Sequence, residues 1–322
     1  MKKIGVLTSG GDAPGMNACT RSIVRTAISH NIQVVGIQHG YTGLIGKDFI
    51  ELGARSVSNI IQRGGTILKS SRCEEFTRGN GREKAANNLK EAGVEGLIVI
   101  GGDGTFHGAK KLNEEWDIPV IGAPGTIDND IYGTDYTIGF DTAVHTAVEA
   151  VDKIKDTAGS HDRHFIIEVM GRHAGFIALE VGLSCGAEEI IMPETKTELD
   201  KISQRIMEGR IKGKMSYIII VAEGDEAGDA FEISRKLHQM TGLGFKVCVL
   251  GHIQRGGSPT AMDRILGTKL GMYAVENLIK GESDKMIGEI NGKPVLTPFE
   301  DTWTKKKSID EKYMDWIKIL SL

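Results

Sequence analysis

The residues best suited to chemistry lie in the stretch PGTIDNDIYGTD, residues 124–135, where Asp128, Asp130 and Asp135 follow an apolar run with no lysine or arginine among them. Asp128 and Asp130 are two apart, so in an extended loop both carboxylates lean to the same side. A divalent cation near one of them would relieve the repulsion and leave the other to accept a proton from a hydroxyl, as phosphoryl transfer requires. The alternative is an Asx-turn loop, which Asn129 suits. In GGDGTFHG, residues 101–108, an acid stands among glycines at the end of another apolar run. There Asp103 can hold Mg²⁺ directly or through water while neighbouring amides hold phosphate. This stretch is neither G-x-G-x-x-G nor G-x-x-x-x-G-K-[ST], and the latter occurs nowhere in the chain. SGGDAPGMN, residues 9–17, lies between an apolar run and a helical pattern. It reads either as a phosphate cradle at a helix N-terminus or as a plain tight turn.

Basic groups recur in similar turns. EVMGRHAG carries Arg172 and GHIQRGGSP carries His252 and Arg255, a set that reads as a sugar-phosphate site because guanidinium matches phosphate with a planar fork. Arg72, Arg78 and Arg82 follow the GGT of residues 64–66 and either steady a polyphosphate or lie on the surface. Arg21 and Arg25 stand one helical turn apart. They, like Lys212 and Lys214, form a second anion site or a solvated face.

The elements that must position these groups are short, β-branched runs, each closed by glycine and a charged residue: KIGVLTSGGD, VVGIQHGYTG, GLIVIGGDGT, PVIGAPGTIDND, HFIIEVMGRH, EIIMPE, YIIIVAEGD and FKVCVLGHIQRGG. Most are separated by helical spacing. The clearest case follows Asp141, where Val144, Ala147, Val148, Val151 and Ile154 keep an i, i+3, i+4 rhythm up to Gly159. Runs that are apolar throughout imply parallel sheets covered by helices on both faces, an α/β fold. Ligands of such sheets bind outside the carboxyl ends of the strands. The same rule gathers Asp12, Asp103, Asp128, Asp130, Arg172, Glu223, His252 and Arg255 into one or two facing clefts.

The chain has 322 residues, enough for about two domains with real cores. Its 42 glycines are about 13% of the chain against a typical ~7%. Many backbone segments must therefore turn sharply or approach something closely. With 39 basic and 43 acidic residues the net charge is −4, which gives no general attraction to nucleic acid or membrane, so any anion site is built locally. Four cysteines without a CxxC pair fit a reducing compartment and argue against a thiolate zinc site. The start, MKKIGVLTSGG, has too few apolar residues for a signal peptide, and the expected location is the cytoplasm.

Together, LTSGGDAPGMN, GYTGL, IQRGGT, IGGDGT, PGTIDND, GTDYTIGFDTA, VMGRHAG, VAEG and GHIQRGGSP resemble the bacterial ATP-dependent 6-phosphofructokinase family, in the family's order, over residues 1 to about 280. GGDGT is shared with NAD and lipid kinases; PGTIDND and GHIQRGG separate them. The resemblance implies transfer of the ATP γ-phosphoryl to the 1-hydroxyl of fructose 6-phosphate. It also implies two Rossmann-like three-layer α/β/α domains, with mostly parallel sheets, facing a shared cleft. The larger, ATP-binding domain would comprise residues 1–139 and 252–304. The smaller, sugar-phosphate domain would comprise residues 140–251 and 305–322. By matching motifs, Gly11, Tyr41, Arg72, Cys73, Gly102, Asp103, Gly104, Thr105 and Gly108 would bind ATP, with Asp103 serving Mg²⁺. Thr126, Asp128 and Asp130 would sit at the transferring group, Asp128 as the base, with Gly11, Arg72 and Arg172 opposing its charge. Met170, Gly171, Arg172, Glu223, His252 and Arg255 would bind fructose 6-phosphate. Arg163 and Lys246 would join them from a neighbouring subunit of a homotetramer. Lys246 stands where the family has arginine, keeping the charge without the fork. Glycine at positions 104 and 125 goes with ATP rather than pyrophosphate in the family. An allosteric site for ADP or phosphoenolpyruvate would use Arg21, Arg25, Arg55, Lys155, Glu188, Lys212 and Lys214. It departs from the family pattern at Ala54, Lys155, Met215 and Ser216.

Overall fold

The computed structural model describes residues 1–160 and 163–320. The chain divides into two units. Met1–Ile127, Ile131–Thr142 and Arg255–Lys307 form the first; Asp128–Asp130, Ala143–Gln254 and Ser308–Leu322 form the second. In chain order the elements run β1 (Lys3–Thr8), α1 (Met16–Ser29), β2 (Gln33–Ile37), α2 (Gly40–Gly46), β3 (Phe49–Glu51), α3 (Gly79–Glu91), β4 (Gly96–Gly101), α4 (Asp103–Trp116) and β5 (Val120–Pro124). Next come α5 (Phe140–Ser160), β6 (His164–Val169), α6 (Phe176–Cys185), β7 (Glu189–Ile191), α7 (Leu199–Ile211), β8 (Tyr217–Ala222), α8 (Ala230–Thr241) and β9 (Phe245–Val249). The chain closes with α9 (Ala261–Ile279), β10 (Lys285–Ile290), β11 (Lys293–Pro298), α10 (Asp301–Thr304) and α11 (Glu311–Leu320).

The first unit is built on a seven-stranded sheet in the order β11-β10-β5-β4-β1-β2-β3. β2, β1, β4, β5 and β10 run parallel, while β3 and β11 are antiparallel edges. The second unit has a four-stranded, wholly parallel sheet in the order β7-β8-β6-β9. All eight sequence runs form strands, and the α/β reading with mostly parallel sheets holds. β4 and β8 are buried at every residue, the reason their sequences are apolar throughout instead of alternating. The amphipathic segment after Asp141 is α5. One core gathers Leu7, Ile37, Val99, Phe106 and Phe299, and the other gathers Ile166, Ile219, Val221, Ile233 and Leu237.

Three strands fall outside those runs: β3, β10 and β11. The last two form a hairpin closed by Asn291 (φ 51°) and Gly292 (φ 73°), left-handed at both positions, as a type I′ turn requires. The Asn-Gly pair itself was the legible signal for it. Along α1 and α9 the backbones come close: a Cβ on Gly271 would stand 2.6 Å from the Cys19 carbonyl oxygen. This packing fixes the SGGDAPG turn before α1 against the start of α9. No helix among the described residues is long and apolar enough to cross a membrane.

Candidate active site

In the first unit the strand order reverses at β1, whose neighbours are β2 and β4, and the turns after β1 and β4 flank that point. The Ser9 N–H donates to the Ile100 carbonyl at 3.0 Å and the Thr105 hydroxyl to the Ser9 carbonyl at 3.2 Å. The two turns are thus one piece. Tyr41 is 5% exposed. Its hydroxyl donates to the Thr105 carbonyl at 2.6 Å, its ring stacks on Phe76 at 3.9 Å, and Gly108 rides against that ring. It therefore supports the start of α4 from beneath. Gly11 and Arg72 are exposed, and Cys73, Gly102 and Asp103 partly so. His107, one turn beyond Asp103, stacks on Trp303 at 3.6 Å, and desolvation holds its pKa below the ordinary imidazole value.

Arg82 is resolved as structural. Its Nε and Nη2 form a two-pronged pair with Glu115 at 2.7 and 2.8 Å, and Nη1 donates to the Phe76 and Thr77 carbonyls. Four of its five N–H donors are thus held by the protein. Asp135 is likewise tied to the hairpin: its carboxylate accepts the Asn291 N–H at 2.6 Å and its carbonyl accepts Lys307 Nζ at 2.5 Å. The acidic stretch is therefore divided in function, with Asp135 bracing the fold.

Beyond β5, the Ile138 N–H returns to the Pro124 carbonyl at 2.9 Å and the Thr137 hydroxyl donates to the Thr126 carbonyl at 2.6 Å. Thr126 is held at 9% exposure. Asp128 is 7% exposed and Asn129 is left-handed at φ 55°, while Asp130 remains partly open to solvent. Of the adjacent pair, Asp128 is the one withdrawn from bulk water.

In the second unit, Met170, Gly171 and Arg172 follow β6 and Glu223 follows its neighbour β8. Glu223 Oε1 accepts the N–H groups of Gly171 at 3.2 Å and Arg172 at 2.8 Å. Arg172 has φ 60°, a conformation that costs a residue with a Cβ about 1–2 kcal/mol. Gln254, fully buried, accepts the Met170 N–H at 2.9 Å. It sits inside GHIQRGG and is a site-shaping residue that the sequence reading passed over, because a glutamine between Ile253 and Arg255 gives no sign of where it turns. His252 is exposed. Arg255, counted with the first unit, donates to the Asp12 carbonyl at 3.2 Å and lies so close to Gly11 that a Cβ there would stand 2.6 Å from its Nη1.

Two expected sugar-phosphate ligands are not brought to this end within one chain. Arg163 precedes β6 and Lys246 pairs with Phe165 near the strand's start. At ~3.3 Å per residue, Arg163 lies about 20 Å along the sheet from Met170. Both are exposed. The candidate effector residues fall in both units. Arg21 and Arg25 lie on α1, Arg25 and Arg55 exposed. In the second unit Lys214 pairs with Glu188 at 3.2 Å, Glu188 accepts the Ile218 N–H at 2.6 Å, and Lys155 donates to the Cys185 carbonyl. Lys212 is exposed. A cavity of about 240 Å³ beside them is lined by His164, Arg210, Lys214, Met215 and Gly244.

Among the described residues no three His, Cys, Asp or Glu side chains gather to hold a metal ion. Magnesium, which keeps several waters and takes phosphate oxygens, asks for only one or two carboxylates. Asp103, partly exposed at the first position of α4, offers that hard-oxygen chemistry, so its donor fits.

Each unit is thus a doubly wound α/β structure with carboxylates and arginines on glycine turns at its strand ends, a class that binds ligands there. A family model described as Phosphofructokinase matches residues 3–278. The chain belongs to the phosphofructokinase family. It is 53% identical over 334 residues to the ATP-dependent 6-phosphofructokinase of Halothermothrix orenii, covering all of both chains. It is also 53% identical over 322 residues, again end to end, to ATP-dependent 6-phosphofructokinase 1 of Thermus thermophilus. Among solved structures, phosphofructokinase from Saccharomyces cerevisiae superposes with a TM-score of 0.89 at 37% identity over 94% of this chain. This chain spans 45% of that longer one.

Gly104 and Gly125 differ in their surroundings. A Cβ on Gly104 would meet no atom within 4 Å, whereas one on Gly125 would stand 2.9 Å from both Ile100 Cγ2 and Met16 Cε. Packing alone disfavours a side chain at 125, where Ile100 and Met16 would have to shift. Gly104 opens instead onto free space.

Proposed function

We propose that the protein transfers the γ-phosphoryl group of Mg-ATP to the 1-hydroxyl of fructose 6-phosphate, giving fructose 1,6-bisphosphate and ADP. The observation that carries this reading is Asp128, a carboxylate 7% exposed beside the more open Asp130 in the turn after β5. Gly11, Arg72, Cys73 and the first turn of α4, from Gly102 through Thr105 to Gly108, hold the nucleotide phosphates, with Tyr41 bracing that turn. Asp103 and Asp130 would hold a bound magnesium ion, which would supply neutralisation of phosphate charge. Asp128 accepts the proton of the attacking hydroxyl at its carboxylate. Thr126 and the Gly11 amide contact the moving group, and Arg72 and Arg172 oppose the charge that develops on it.

Met170, Gly171, Arg172, Glu223, His252 and Arg255 bind the sugar phosphate. Arg163 and Lys246 serve a neighbouring copy of the chain, which is why they face solvent in a single one, and the assembly is a homotetramer. ADP or phosphoenolpyruvate binds at Arg21, Arg25, Arg55, Lys155, Glu188, Lys212 and Lys214. All four cysteines are free thiols, which suits the cytoplasm. The test is an initial-rate assay that follows ADP and fructose 1,6-bisphosphate together, run in parallel with pyrophosphate as donor. Equal formation of both products with ATP supports the reading; product with pyrophosphate and none with ATP defeats it.

A further inference from the structure

Asp263, the third residue of α9, is 1% exposed and lies where three turns of the first unit converge. Its Oδ1 accepts the Gly139 N–H at 2.7 Å, and its Oδ2 accepts the Thr142 N–H at 2.8 Å and the Thr142 hydroxyl at 2.5 Å. Thr260 caps α9 by accepting the Asp263 N–H at 3.3 Å. It also donates its own N–H to the Thr142 hydroxyl oxygen at 3.1 Å and its hydroxyl to Asp141 at 2.5 Å. From the third side Gly15 packs on Asp263, where a Cβ would stand 3.3 Å from the aspartate's own Cβ.

These bonds continue toward the residues of the proposed chemistry. Gly139 follows Ile138, whose N–H holds the Pro124 carbonyl, and Thr137, whose hydroxyl holds the Thr126 carbonyl at 2.6 Å. Thr260 ends the segment that begins at Arg255. We infer that Asp263 is a positioning residue for phosphoryl transfer, fastening the segment that carries Thr126 through Gly139 and Thr142 and the segment that carries Arg255 through Thr260. This inference rests on the proposed function for its kinetic consequence.

The donors at the site call for a carboxylate. Three of them converge on its two oxygens, two being backbone N–H groups, so asparagine would turn its NH₂ against a backbone N–H, and an apolar residue would orphan all three donors. Burial opposes the charged form, and the charged side chain that also acts on it is Asp141, whose repulsion adds to that cost. A carboxylate kept ionised against desolvation and a like charge does more than fill space.

The experiment compares full-length Asp263→Asn, Asp263→Glu and Thr142→Val with wild type by steady-state kinetics and by hydrogen exchange. In Asp263→Asn, kcat should fall about 30-fold or more while KM for ATP stays within about threefold, since misplacement by an ångström suffices for such a loss. Exchange should quicken about tenfold in residues 124–142 and 251–260, with β1 and β4 keeping wild-type protection. Asp263→Glu should recover part of kcat. A kcat within threefold of wild type, or exchange that rises evenly across the first unit, overturns the inference. Should Asp263→Asn not fold, Thr142→Val, which leaves both backbone N–H groups their acceptor, is judged by the same two criteria with a smaller expected loss. If wild type itself makes no bisphosphate, the proposed function fails, and the exchange pattern alone decides whether Asp263 fastens both segments.

Discussion

Glu223 holds Arg172 in a left-handed backbone conformation: its Oε1 accepts the Arg172 N–H at 2.8 Å at a residue whose φ is 60°. The carboxylate just after β8 thereby fixes the backbone that carries the Arg172 guanidinium just after β6. Removing it in Glu223→Ala lets Arg172 relax, and a hydrogen bond to a charged group is worth about 1.5–3 kcal/mol. The expected result is a rise of about tenfold or more in KM for fructose 6-phosphate, with KM for ATP unchanged, read from initial rates with each substrate varied in turn.

Positions 104 and 125 separate donor choice from packing. Gly104→Asp meets open space and should leave the melting temperature near wild type while lowering kcat/KM for ATP at least about tenfold, because a carboxylate beside phosphates repels them. Gly125→Ala drives a methyl into Ile100 and Met16 and should lower the melting temperature by several degrees, as overpacking costs about 1–3 kcal/mol. Thermal unfolding and kinetics on both variants check this; equal behaviour of the two would refute it.

Burial pushes the Asp263 carboxyl up to about 6, opposed by its hydrogen bonds from Thr142 and Gly139. The folded value exceeds the ordinary 3.8, so the folded chain takes up a proton that the unfolded chain does not. The resulting stability is complete below the unfolded value and is lost as pH rises through about 6. Relative to Asp263→Asn, wild type should therefore gain on the order of 1 kcal/mol between pH 7.5 and pH 5. Unfolding midpoints of the two proteins at both pH values measure it.

Thiol reactivity reports the nucleotide turn. Cys19 is fully buried and desolvation raises its pKa, while burial first and then Asp152 push Cys185 up to about 11 against Lys155. Neither should react in the folded protein. Cys73 and Cys248 are partly exposed and should react, and Mg-ATP should protect Cys73 alone. Mass spectrometry after brief alkylation with and without nucleotide distinguishes the four.

The strands and the turns that end them were legible because burial on both faces leaves an unbroken apolar run, and because acids and arginines among glycines have no role in a plain turn. Partners that meet only in space were not legible. Nothing local marks Asp263 as the acceptor for Gly139 and Thr142, or Gln254 as the acceptor for Met170. The same holds for Arg82, whose pairing with Glu115 was indistinguishable in sequence from a phosphate ligand, and for Asp135, whose partner Asn291 lies far along the chain. The distance between Arg163 and Met170 was implicit in the direction of β6 and needed only the strand's length. The β10–β11 hairpin went unread although Asn291-Gly292 announces its turn, since its exposed edge strand lacks the apolar run of the interior strands.

The most direct measurement is the initial rate of fructose 1,6-bisphosphate and ADP formation by wild type and by Asp128→Asn, with fructose 6-phosphate varied at saturating Mg-ATP. The expected result is equal amounts of both products from wild type and a loss of about 10²–10⁴ in kcat for the variant. KM for the sugar phosphate should stay within about threefold, because a proton acceptor acts in the transition state and adds little to ground-state binding. Turnover by Asp128→Asn at the wild-type rate would contradict the assignment of Asp128 as the base.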